Sequence, residues 1–244
     1  MTSISLNKYI SSQGHCSRRE ADRLIEDGRV KLNGKVAKKG NRVEEGDEVI
    51  LDGQIISQQT KKKAKKSKEA TYLVFHKPKG LITTTDLREP LNIISYINYH
   101  KRIFPVGRLD KDSEGLLIMT DDGDIVNKIL RANYNHEKEY IVRVNKAFPN
   151  EFIEDLQRPM TILGKKIKPV KAERTGKDSF KIILTQGLNR QIRRMCLKLG
   201  YKVKFLKRVR LMNIHLGELP VGKWRHINQR ELADLKRSIA SNKT

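Results

Sequence analysis

The sequence predicts an α+β protein built from a small N-terminal unit and a larger domain around a mostly antiparallel mixed sheet. Three observations predict it. Segments with strand character outnumber segments with helical periodicity and do not alternate regularly with them, unlike the pattern of a doubly wound parallel sheet. Six lysines fall between Lys61 and Lys68 with no large apolar residue among them, and such a run repels itself and buries nothing. It reads as a tether over 60–70, separating 1–59 from 71–244. Hydrophobic residues make up 37% of the 244, enough for a core.

In the first unit, Ser17-Arg18-Arg19-Glu20 fits a capping box, with Ser17 at the helix start and Glu20 able to reach back. Ala21, Leu24 and Ile25 share one face of that helix, Gly28 stops it, and Arg19 and Arg23 fall on the other face. Val30 and Leu32 alternate, Asn33-Gly34 supplies a primed turn, and Val36 resumes the pattern, which predicts a hairpin. The segment GDEVILDG adds a strand.

In the second unit, TYLVFH is a strand and KPKG the turn after it. GLLIMT, EYIVRV and SFKIILT are strands by β-branched or alternating character. DIVNKILR and NRQIRRMCLKLG are helices, the latter burying Ile192, Met195, Cys196 and Leu199 and ending at Gly200. VKFLKRVRLMNI is a further strand. NQRELADLKRSI closes the chain as a helix capped by Asn228 and Glu231.

Lys and Arg number 51 against 28 Asp and Glu, a formal charge of +23. That field attracts polyanions, nucleic acid first and an anionic membrane surface second. No apolar run approaches the ~20 residues of a membrane span, and Met1 to Ser5 lack the basic start and apolar block of a secretory signal. Cys16 and Cys196 stand alone without zinc-finger spacing. A reduced, metal-free cytoplasmic protein is expected, with RNA rather than a membrane as partner and a monomer as the working form.

The segments LNKYISSQGHCSRREADRLIEDGRVKLNGK and VEEGDEV resemble the small αL-type RNA-binding domain shared by ribosomal protein S-four and several RNA-modifying enzymes. The resemblance implies that Lys8, Arg18, Arg19, Arg23, Lys31 and Lys35 face structured RNA, which is read mainly by shape and backbone. GRLDKDSEGLLIMTDDGD resembles the catalytic motif of pseudouridine synthases. HKPKG, HEKEYIV and LTQGLNRQIRRM are similar to that family's other motifs and follow in its order. With the N-terminal domain, they identify the chain as a member of the RsuA-type family, and RRMC…GYKVKFLKRVRLMNI is most similar to its RluF branch.

The resemblance implies an isomerase that converts a specific uridine to pseudouridine. No cofactor is implied, since the product is an isomer. It assigns Asp110 as the nucleophilic carboxylate, Arg193 as the cation that keeps it charged and oriented, and Tyr140 as the platform for the base. It assigns substrate binding to Arg108, Lys77, Asn189, Arg190, Gln191 and Arg194. Arg108 would enter the RNA stack to evict the uridine, and Arg190 and Arg194, four apart, would track phosphates. Asp112, Glu114, Asp121, Asp122 and Asp124 read as turn and cap residues. Large-subunit (23S) ribosomal RNA is the expected substrate. Transfer RNA or small-subunit ribosomal RNA, or a non-catalytic role in ribosome assembly, are the competing readings.

Overall fold

The computed structural model describes residues 3–56, 70–130 and 135–241. The tether expected at 60–70 lies outside the described residues apart from Ala70. The chain divides into two compact units, Met1–Glu69 and Ala70–Thr244.

The first unit runs β1 (Ile4–Ser5), α1 (Leu6–Ser12), α2 (Arg18–Glu26), β2 (Val30–Leu32), β3 (Lys35–Val36), β4 (Arg42–Val43), β5 (Val49–Leu51) and β6 (Gln54–Ile55). Four of these strands form a sheet in the order β3-β2-β5-β6, and β1 pairs with β4. Ser17 starts α2 as expected, its hydroxyl accepting from the Glu20 amide at 3.1 Å. The Glu20 carboxylate lies 3.5 Å from Arg23, its i,i+3 neighbour. Asn33 and Gly34 both have positive φ, 50° and 78°, as a primed two-residue turn requires. Leu6, Ile10, Ala21, Ile25, Val30 and Val49 are buried together, which turns Arg18, Arg19 and Arg23 to solvent.

The second unit comprises β7 (Tyr72–Lys77), α3 (Ile93–Ile97), β8 (Phe104–Val106), β9 (Glu114–Thr120), α4 (Gly123–Leu130), β10 (Lys138–Val144) and α5 (Asn150–Gln157). It continues through β11 (Thr161–Ile162), β12 (Lys165–Lys166), β13 (Lys171–Arg174), β14 (Ser179–Leu184), α6 (Gln191–Lys198), β15 (Val203–Leu211), β16 (Ile214–His215), β17 (Trp224–His226) and α7 (Gln229–Ser241). The main sheet has the order β13-β14-β10-β15-β9-β7-β17, with β8 on β9 and β16 on β15. Its pairings among the described residues are antiparallel apart from β9 with β15, which is parallel. Helices cover both faces. Ile93 of α3, Phe152 of α5 and Ile192 of α6 pack on one side with Leu73, Phe75, Leu117 and Met119. Ile125 and Ile129 of α4 and Leu235 of α7 pack on the other with Val74, Leu116 and Ile118. The unbroken apolar runs in β7 and β9 follow from this double cover.

The stretch expected as one strand at 203–214 is two. Met212 takes a left-handed turn (φ 53°), so β16 folds back on β15. The cap of α7 is complete: Asn228 Oδ1 accepts from the Glu231 amide at 2.8 Å, and Glu231 Oε2 accepts from the Asn228 amide at 3.0 Å. Among the described residues no helix is long and apolar enough to cross a membrane.

Candidate active site

Asp110 lies in the loop from β8 to β9. The loop must hold an irregular backbone against a buried sheet end, so each of its carbonyls needs a donor. Each of the five from Leu109 to Ser113 has one. Thr83 Oγ1 donates to Leu109 O at 2.7 Å. The Ser113 amide donates to Asp110 O at 3.0 Å, and the Gly80 amide to Lys111 O at 2.8 Å. Arg193 Nη2 donates to Asp112 O at 2.9 Å, and Lys77 Nζ to Ser113 O at 3.0 Å. Thr83 also accepts from the Leu109 amide at 3.3 Å, so this buried hydroxyl clamps the residue before Asp110 on both sides.

The Asp110 side chain is free of these backbone contacts and keeps 34% of its surface open to solvent. Among the described residues the cation within ion-pair range is Arg190, whose Nη1 lies 3.9 Å from Asp110 Oδ2 and 3.9 Å from Asp112 Oδ2. Arg193, the expected partner of Asp110, lies near it without an ion pair of this length among the described residues. Arg190 precedes α6 with left-handed backbone (φ 52°), which swings its side chain toward the acids instead of along an RNA backbone. Arg193 lies behind the loop, donating to Asp112 O, to Val203 O at 3.2 Å and to Ser113 Oγ at 3.4 Å. Burial and the neighbouring Arg190 hold its pKa below the usual guanidinium value, opposed by Asp110 and Asp112.

Lys77, expected among the substrate-binding residues, lies beneath the loop. Its side chain is fully buried, with Nζ donating to Pro78 O and Ser113 O, so it braces the loop and has no surface to offer a substrate. Burial pushes its pKa down to about 8, against the pull of Asp110, Asp112 and Glu114. Between that value and the ordinary 10.5 the unfolded chain binds more protons than the folded one, so stability rises with pH across this window. The burden of the buried charge is full below pH 8 and lifts above it. Relative to a Lys77→Met variant, the parent protein is expected to gain on the order of 2 kcal/mol from pH 8 to pH 10. Urea unfolding at a series of pH values measures this, and a difference that stays flat would refute it.

Tyr140 is buried in β10, paired with Ile182 and Arg208, in the cluster that holds Leu109 and Ile192. Arg108 is exposed beside Asp110. Asn189 is exposed, and Arg194 folds onto it, Nε donating to its carbonyl at 3.1 Å. Gln191 is buried and accepts from the Leu188 amide at 3.0 Å. It shapes the turn before α6. Asp121 and Asp122 serve as turn and cap groups. Asp121 accepts from the Thr71 amide, and Asp122 from the Asp124 and Ile125 amides at the start of α4. No cluster of metal-ligating side chains occurs among the described residues.

Sequence reasoning missed Thr83 and Gly115. Thr83 carries no motif. Gly115 has φ 113°, and a Cβ there would sit 2.2 Å from Arg208 O and 2.6 Å from Arg208 N. The parallel pairing of Arg208 with Gly115 therefore needs a residue without a side chain at the start of β9.

Residues 71–198 match the family described as RNA pseudouridylate synthase, and residues 5–49 match the S4 domain. The chain is 47% identical to the dual-specificity RNA pseudouridine synthase RluF of Escherichia coli (strain K12), over 99% of this chain and 81% of that protein. It is 32% identical to the ribosomal large subunit pseudouridine synthase B of Bacillus subtilis, over 95% of each chain. A crystal structure of a pseudouridylate synthase aligns with a TM-score of 0.67 at 25% identity, covering 95% of this chain and 99% of that one.

Proposed function

Given that the chain belongs to the RsuA-type RNA pseudouridine synthases, isomerases with an N-terminal S4 domain, we propose that it modifies a specific uridine of 23S ribosomal RNA through the carboxylate of Asp110. The observation that carries this is the Asp110 carboxylate itself, open to solvent on a backbone whose carbonyls from Leu109 to Ser113 each accept a hydrogen bond, and facing Arg190. The uridine leaves its helix, which costs a few kcal/mol and least where it is unpaired, and exposed Arg108 takes its place in the stack. Asp110 then acts as nucleophile while the N1–C1′ bond breaks. The base turns against Tyr140 and its C5 bonds C1′ as the carboxylate is released; the C5 proton leaves and N1 takes up a proton, so the product is an isomer. Arg190 supplies positive charge beside the carboxylate. Lys8, Arg18, Arg19, Arg23, Lys31 and Lys35 grip RNA from the first unit. The working form is a cytoplasmic monomer. Transfer RNA fits as a second substrate, since the Escherichia coli relative is named a dual-specificity enzyme.

The test is to incubate the purified protein with unmodified ribosomal and transfer RNA and map pseudouridine. New pseudouridine at a discrete 23S position is expected. Product in transfer RNA alone would overturn the choice of substrate.

In this reading Arg193 is a positioning residue acting through the loop. Arg193→Ala removes donors from Asp112 O and Ser113 Oγ and is expected to lower the single-turnover rate at saturating enzyme by about 10- to 1000-fold, or roughly 1.4–4 kcal/mol. RNA affinity stays close to the parent's, and Arg193→Lys recovers part of the rate, since an ammonium donates without the planar fork. An intact saturated rate with weakened affinity would make Arg193 a phosphate contact instead.

A further inference from the structure

We infer that the edge of the catalytic unit formed by β17 and the segment after α3 is a stacking surface for unpaired nucleotides that flank the target uridine. The inference rests on the proposed function for its RNA partner.

Trp224 is the chain's one tryptophan. It sits on β17, the edge strand of the sheet, with 39% of its surface exposed. Tyr99 meets it edge-on at 5.3 Å. His100 lies against Tyr99 at 4.3 Å, and His226 against Trp224 at 5.7 Å. His100, Trp224 and His226 are all exposed, so the rings form a surface cluster. Large rings at the surface are costly unless something covers them.

Charge decides what covers them. Segments 96–102 and 221–226 contain no acidic residue, and exposed Lys101 and Lys223 flank the rings. Aromatic faces beside exposed cations suit single-stranded nucleic acid, whose bases stack while its phosphates meet the cations.

Position ties the patch to the reaction. Trp224 pairs with Phe75, two residues before Lys77, or about 7 Å along a strand. Lys77 holds Ser113 O in the Asp110 loop. With a uridine turned out at Asp110 and Arg108 in its place, the unpaired nucleotides that flank the gap can gain a further stacking partner here.

The single tryptophan makes the test direct, because all indole emission comes from the patch. The full-length protein is titrated with an end-labelled oligouridylate strand while label anisotropy and Trp224 emission are both followed. Emission is expected to quench along the same curve as the anisotropy. Trp224→Leu should weaken binding about tenfold, the scale of one base stacked on an aromatic ring, and Trp224→Phe should restore most of it. Binding seen by anisotropy with unchanged emission overturns the inference, as does a Trp224→Leu protein that binds like the parent. Parent protein that quenches on RNA yet forms no pseudouridine would sink the proposed function and leave the stacking surface standing.

Discussion

Asp110→Asn protein is expected to bind RNA as the parent does and to form no pseudouridine. The substitution exchanges one carboxylate oxygen for an amide of nearly the same size. The loop does not depend on that side chain, since the donors that hold it reach backbone carbonyls from Thr83, Gly80, Arg193, Lys77 and Ser113. The fold, the exposed Arg108 and the first unit's cations are untouched, so affinity persists. In the proposed mechanism a negatively charged nucleophile disappears, and an amide cannot open the glycosidic bond in its stead. Loss of an obligate nucleophile costs four orders of magnitude or more in rate, at least about 5 kcal/mol of barrier. Single-turnover assays with excess enzyme isolate this step from binding. Turnover near the parent rate would remove Asp110 from its role.

Gly115→Ala is expected to destabilise the catalytic unit by at least about 3 kcal/mol, because the added methyl meets backbone rather than a yielding side chain. The atoms in its way, Arg208 O at 2.2 Å and Arg208 N at 2.6 Å, belong to β15, the strand that pairs in parallel with β9. Relief requires β9 and β15 to part where Arg208 Nε donates to Leu116 O at 2.7 Å. For a unit of this size the loss corresponds to a drop in Tm on the order of 10 °C. Gly164→Ala supplies the control: its φ is also positive, at 72°, but nothing lies within 4 Å of the new methyl. It carries backbone strain alone, about 1 kcal/mol. Equal melting shifts for the two variants would show that the close approach to Arg208 is not what requires glycine.

The two-sided core was legible because double burial leaves a plain signal. The apolar runs of β7 and β9 and the helical spacing of Ile192, Met195 and Cys196 in α6 needed no structure to be read. α3, α5 and β17 were not read. The first is five residues long. The second, Asn150–Gln157, buries only Phe152 and Leu156. The third is a three-residue edge strand with Trp224 and His226 exposed, so its pattern is that of a surface loop. At the site, the motif resemblance led to Asp110, but the placement of the arginines around it was hidden. Arg190 and Arg193 are ordinary positions on a helical wheel. Only the left-handed backbone at Arg190, outside the regular helix, brings its guanidinium to the acids. Thr83 reaches Leu109 from 26 residues away, a relation no local pattern carries.

The way the Asp110 loop is held bears on how such a segment can change over evolutionary time. Its anchors are main-chain oxygens, which every residue type supplies, and their donors come from separate parts of the chain. Exposed loop positions such as Lys111 and Asp112 can therefore drift in identity while the anchors persist. Length is another matter. One inserted or deleted residue between Leu109 and Ser113 shifts every later carbonyl away from the donor that meets it, and no single compensating change elsewhere can realign Gly80, Arg193 and Lys77 at once. Related chains should vary in the letters of this segment well before they vary in its number of residues.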